Sequence, residues 1–259
     1  MQVSRNTQVV AVVRSLGPGE RLILLASIAM LVAFMLLDGS SAYGTAPDFS
    51  AMSIEQKKRE FFAFLSPMIT DVNFQMTADH DRVRELLNAS ERGEEPGWFD
   101  RRWLERLAGK LEVAIHEMPL QEALQTLERR AGVVPESIVL AQAAMESGWG
   151  TSRFAREGNN YFGQRCYEAG CGMRPQARPD GVRFGLARFA SPRASVESYM
   201  RNLNTHTEYR QFRELRKELR DRGRPITGLA LVRGLSGYSE RGADYVAEIA
   251  AMIRANDLE

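Results

Sequence analysis

Glu146 is the side chain whose setting in this sequence most favours acid chemistry. It follows an apolar stripe (Ile138, Ala141, Ala144 and Met145) and stands directly before Ser147-Gly148-Trp149-Gly150. Pro135 suits a first helical turn and Gly148 suits a C-terminal cap, so the pattern predicts a helix with Glu146 in its last turn. Two effects there favour the neutral acid. Burial disfavours the carboxylate, and the negative end of the helix dipole disfavours it by about 0.3–1 kcal/mol. A carboxylic acid kept protonated near neutral pH can give its proton to a leaving oxygen. Taken by itself, a glutamate in a last turn also reads as an ordinary solvated residue.

The remaining candidates are sparser. Cys166 and Cys171 flank Tyr-Glu-Ala-Gly, a spacing that can close a short disulfide loop in an oxidising compartment or leave two free thiols. The three histidines, His80, His116 and His206, form no metal-binding pattern, and no metal or other cofactor is expected.

The elements that must hold Glu146 are mostly helical. Leu120, Leu124 and Leu127 line one helix, which Gly132 ends. After Glu146 comes a stretch rich in Gly, Asn and aromatics. Two strand-like runs, Tyr161 to Tyr167 and Val182 to Phe189, flank the turn signal Pro179-Asp180-Gly181 and predict a small β-hairpin. Helical stripes return at Val196–Leu203, Phe212–Leu219, Leu229–Val232 and Val246–Ile253. Upstream, Ser53 starts a helix that Pro67 should end or kink, Val83, Leu86 and Leu87 mark a second, and Trp103, Leu104, Leu107 and Leu111 a third.

Composition bounds the whole. The chain has 259 residues, 44% hydrophobic and 26% charged, which suits one globular domain with extensions. A net charge of +1 argues against a dedicated nucleic-acid binder. Leu22 to Leu37 is an uncharged apolar run preceded by Arg5, Arg14 and Arg21 and closed by Asp38. That pattern reads as a signal anchor or a cleaved signal peptide, with Ser40-Ser41-Ala42 as a possible cleavage site. It places the N-terminus in the cytoplasm and the rest in the periplasm, held at the inner membrane or released from it. The expected layout is 1–21 cytoplasmic, 22–38 signal anchor or peptide, 39–52 linker, 53–118 helical stalk or subdomain, and 119–259 the chemical domain.

The string Gln-Ala-Ala-Met-Glu146-Ser-Gly-Trp-Gly-Thr-Ser, followed by Glu157-Gly-Asn-Asn-Tyr-Phe-Gly163, resembles the glucosaminidase family of peptidoglycan hydrolases (glycoside hydrolase family 73) and within it the Bax-type branch. Glu146 to Gly150 and Ser152 match its first motif, and Asn159 to Gly163 its second. The likeness continues through Phe189, Ser191, Ser195, Val196, Ser198 and Tyr199 to Gly237-Tyr238 and Tyr245, over about Leu120 to Asn256. It implies an α+β, lysozyme-like fold with a small β-hairpin, following the N-terminal membrane helix. It also implies cleavage of β-1,4 bonds next to N-acetylglucosamine in peptidoglycan glycan strands, with Glu146 as acid. Tyr161, Tyr238 and Tyr245 then become candidate sugar walls, since rings stack on apolar sugar faces and phenols bond acetamido groups. In the family a matching tyrosine points at the acid, as Tyr245 would. Trp149 would pack beneath the acid, and Asn160 would fix a turn or touch substrate. The family often carries a second carboxylate on the β element, but none stands near Gly185 here. Glu168 and Asp180 in neighbouring loops are the substitutes, each equally readable as a solvated loop residue. A wall-binding or scaffolding protein that keeps the groove without turnover is the alternative. Amide cleavage would need a metal or an activated nucleophile that the sequence does not offer.

Overall fold

The computed structural model describes residues 17, 43–168, 171–174 and 184–259. The apolar run at 22–37 and Asp180 lie outside them. Among the described residues no helix is long and apolar enough to cross a membrane.

Nine α-helices occur among these residues: α1 Ile54–Glu91, α2 Trp98–Lys110, α3 Leu120–Arg130, α4 Glu136–Ser147, α5 Arg153–Gly158, α6 Pro192–Thr205, α7 Arg210–Asp221, α8 Gly228–Leu231 and α9 Ala243–Ala255. Two strands, β1 Arg165–Cys166 and β2 Gly185–Leu186, lie between α5 and α6. Residues 45–259 form one unit, mostly helical with a single small sheet, an α+β arrangement.

Ser53 caps α1 by accepting from the N–H of Gln56. Of the two outcomes expected at Pro67, an end or a kink, the end does not occur: α1 runs 38 residues through Pro67 and through Val83, where a separate helix was expected. An interior proline costs about 3 kcal/mol. Phe61, Leu65, Met68, Ile69, Val72 and Met76, buried around it where α1 packs on α3, α4 and α6, outweigh that cost. The core therefore surrounds α4, whose Ile138 to Ala144 are all buried. Arg216 of α7 closes the end of α3: fully buried, it donates to the carbonyls of Arg129, Gly132 and Val133 and to Asn204 Oδ1.

The hairpin is shorter than predicted. β1 and β2 are two residues each, antiparallel, with Arg165 opposite Leu186 and Cys166 opposite Gly185. Tyr161 to Gln164 form a turn instead of strand. Asn160 Oδ1 accepts from the N–H of Gln164 and its amide donates to Gln164 O and Ala187 O, closing the loop on itself. Gly163 adopts φ 62°, which a strand does not allow. Cys166 and Cys171 are joined by a disulfide, with Cα atoms 6.1 Å apart.

Candidate active site

Glu146 is the penultimate residue of α4, and the chain turns sharply after it. Gly148, Trp149 and Gly150 all take positive φ, at 57°, 58° and 75°. For Trp149 this conformation costs about 1–2 kcal/mol. The loop is held by hydrogen bonds from Trp149 N to Ala144 O (2.9 Å) and from Gly150 N to Ser147 Oγ (2.8 Å). The indole is gripped by α1, with Phe61 and Phe62 edge-on at 5.8 and 5.2 Å and Lys58 Nζ 5.5 Å from its ring. Such ring pairs add about 0.5–1.5 kcal/mol each beyond burial.

A cleft of about 840 Å³ opens beside Glu146, a volume in the range of ligand sites. Phe162, Gly163, Gln164 and Arg165 form one side, Tyr199, Asn202, His206 and Tyr209 another, and Tyr238 to Arg241 with Tyr245 a third. Gly163 brings its backbone close to the acid: a Cβ there would lie 3.7 Å from Glu146 Oε2.

Glu146 is open to solvent on the cleft side and crowded by protein elsewhere. That crowding raises its pKa from the ordinary glutamate value, while a hydrogen bond donated by Tyr245 and the charge of Arg241 oppose the rise. Tyr245 Oη lies 2.9 Å from Glu146 Oε1. Behind it, Gln142 Nε2 donates to Tyr245 Oη at 2.8 Å, and Tyr199 Oη donates to Gln142 Oε1. Gln142 and Glu146 stand four apart on α4, one above the other, which is why a single tyrosine from α9 reaches both. Burial holds the Tyr199, Tyr238 and Tyr245 phenols well above their usual pKa, so all three remain protonated donors. Tyr238 stacks on Tyr245 with ring centres 5.2 Å apart and donates to Phe162 O at 2.9 Å. Phe162 in turn stacks on Tyr199 at 4.0 Å.

The structure thus brings Glu146, Tyr238 and Tyr245 to one cleft and places the other predicted residues elsewhere. Trp149 packs on α1, away from the cleft lining. Tyr161 is buried against Phe61 and Phe64, and burial pushes its phenol up to about 12. Asn160 is buried and fixes the turn. Of the roles expected for these three, Asn160 takes the turn-fixing one, Trp149 packs on α1, and the Tyr161 ring, expected as a sugar wall, lies in the packing against α1. Glu168 is exposed after β1 and lies outside the cleft lining. The carboxylate that does share the cleft with Glu146 is Glu240, in the loop before α9. Sequence reasoning missed Glu240 and Gln142. The i, i+4 spacing of Gln142 and Glu146 was the available signal for the second; an exposed loop glutamate offers none. Among the described residues no cluster of His, Cys, Asp or Glu is arranged to hold a metal ion.

Residues 121–258 match the family model for glucosaminidase, described as mannosyl-glycoprotein endo-beta-N-acetylglucosaminidase. The protein bax of Escherichia coli (strain K12) is 34% identical over 202 residues, which cover 77% of this chain and 70% of that protein. Among solved structures, the catalytic domain of the autolysin Auto from Listeria monocytogenes aligns with 69% of this chain and 94% of its own, at 17% identity and a TM-score of 0.35.

Proposed function

Because this chain belongs to the glucosaminidase family of glycoside hydrolases, we propose that it cuts the β-1,4 bond next to N-acetylglucosamine in peptidoglycan glycan strands, with Glu146 as the general acid. The observation that carries this reading is the Tyr245–Glu146 pair at the edge of a tyrosine-walled cleft. Glu146 gives its proton to the bridging oxygen as the bond to the anomeric carbon breaks. A pKa raised by burial holds that proton on the acid to higher pH than in an exposed glutamate, and the bond from Tyr245 stabilises the carboxylate left behind. The stacked faces of Tyr238 and Tyr245 and the backbone of Gly163 shape the sugar site, a lysozyme-like use of a small helical domain.

The attacking group follows from the product. If Glu240 activates water across a gap of roughly 6.5–9.5 Å, the anomeric configuration inverts. If the substrate's own N-acetyl oxygen attacks, the configuration is retained and no second carboxylate is used. NMR of the freshly released anomer separates the two.

Lysis of purified peptidoglycan by the wild type and Glu146→Gln is the primary test. We expect lysis by the wild type and its loss in the variant. Lysis by both would remove Glu146 from the acid role, and lysis by neither would favour a glycan-binding protein. The apolar run at 22–37 would hold this activity at the periplasmic face of the inner membrane. Recovery of the full-length protein in the cytoplasmic soluble fraction would reject that placement.

A further inference from the structure

A second cavity, of about 710 Å³, lies between the last turn of α3 and the start of α7. Arg129, Arg130, Arg210, Arg213 and Lys217 line it, against one carboxylate, Glu214. Two of the guanidiniums are fixed in place. Arg213 Nη1 donates to Leu203 O (3.1 Å) and His206 O (2.8 Å), and Arg130 Nη1 donates to Leu111 O and Glu112 O, both at 2.7 Å. These bonds close the ends of α6 and α2, and they occupy one nitrogen of each fork. Among the described residues none of the four arginines is ion-paired with a carboxylate, and Lys217 pairs with Asp221. Five positive charges are therefore gathered around one lining carboxylate, Glu214, with only Lys217 held by a carboxylate at ion-pair distance. Burial and the repulsion of Arg130, Arg210 and Arg129 push Arg213 down to about 10. Convergent, pre-positioned guanidiniums match a planar carboxylate.

The cavity is the neighbour of the cleft. One turn, Thr207–Tyr209, separates them: His206 and Tyr209 line the cleft, while Thr207 and Arg210 line the basic cavity. A group branching from a polymer held in the cleft can reach around that turn. In peptidoglycan the glycan chain is studded with peptide stems that carry free carboxylates. We propose that this basic cavity is a subsite for the stem-peptide carboxylates of the strand being cut. This inference rests on the function proposed above and adds a specificity determinant to it.

The test compares intact peptidoglycan with the same glycan stripped of its peptides by an amidase, using the wild type, Arg210→Ala and Lys217→Ala. Both side chains are outside the cleft lining, and neither substitution empties a core position. We expect KM for intact peptidoglycan to rise about three- to tenfold in each variant, with kcat unchanged. On stripped glycan, wild type and variants should be alike. Equal losses on both substrates, or no change on either, would overturn the proposal. Should the wild type cut neither substrate, the proposed activity fails, and calorimetry on the full chain still reads the cavity. A free stem tetrapeptide should bind the wild type and lose that binding in Arg210→Ala. No binding of the tetrapeptide, or tighter Arg210-dependent binding of inorganic phosphate or acidic-lipid vesicles, would overturn it.

Discussion

Gln142 Nε2 donates to Tyr245 Oη at 2.8 Å, and this single contact sets the direction of the phenol's own proton. With its acceptor site used by Gln142, Tyr245 offers its O–H to Glu146, 2.9 Å away. Tyr199 fixes the amide from behind by donating to Gln142 Oε1. The chain of donors runs one way, from a buried tyrosine to the cleft carboxylate, and each link is oriented by the one before it.

Tyr245→Phe removes the bond that favours ionised Glu146. Because that bond holds the pKa down, its loss lets the pKa rise further. The alkaline limb of the kcat/KM profile, set by loss of the acid's proton, should move to higher pH, modestly because the site is open to water. A limb that stays put or moves to lower pH would sink this assignment.

Gln142→Leu should act on both stability and rate. It leaves the Tyr199 and Tyr245 hydroxyls without their buried partner, at about 1–3 kcal/mol. Denaturant unfolding measures that loss. Lysis should fall as well, since Tyr245 is no longer held toward Glu146. A destabilised variant with full activity would show that the amide serves only the core.

Phe61→Ala tests the coupling of α1 to the loop after Glu146. Phe61 is fully buried and touches Phe49, Phe62, Trp149 and Tyr161. Its truncation should cost about 3–4 kcal/mol in urea unfolding. Activity at low temperature, where the variant is folded, should also drop because Trp149 loses the wall that holds its positive φ.

Glu128 predicts a pH-dependent contribution far from the cleft. Its hydrogen bond with His80, with support from Arg220, holds its pKa at about 2, against an opposing effect of burial. A carboxyl whose pKa falls on folding contributes stability above its ordinary value of 4.5, and that contribution drains away as pH falls toward 2. Glu128→Gln should therefore be less stable than the wild type at pH 6, with the gap narrowing by pH 3. An unchanged gap across that range would argue against the ion-pair account.

The legible part of this protein was local. The apolar stripe before Glu146 and the capping glycine at Gly148 lie in contiguous sequence, where helix periodicity and turn chemistry act over a few residues. They specified the helical order, the small β element and Glu146 at the end of the apolar helix, while the family resemblance implied Glu146 as the acid and Tyr245 as its neighbour. The errors were cooperative ones. Pro67 interrupts one hydrogen bond, but the packing of six apolar residues on three other helices decides that α1 continues. Tyr161 looks like a sugar wall by type; only the folded arrangement shows it packed against Phe61 and Phe64 of α1.

By itself the sequence determined which residues form helices and which carboxyl ends the apolar one, because hydrophobic period and capping are written within a turn or two. Tertiary structure alone decided which aromatics face the cleft, that Glu240 shares it, and that arginines from two distant helices share one cavity. Those outcomes depend on contacts between segments as far apart as α3 and α7, whose geometry is set by burial of the whole core and not by any neighbouring residue.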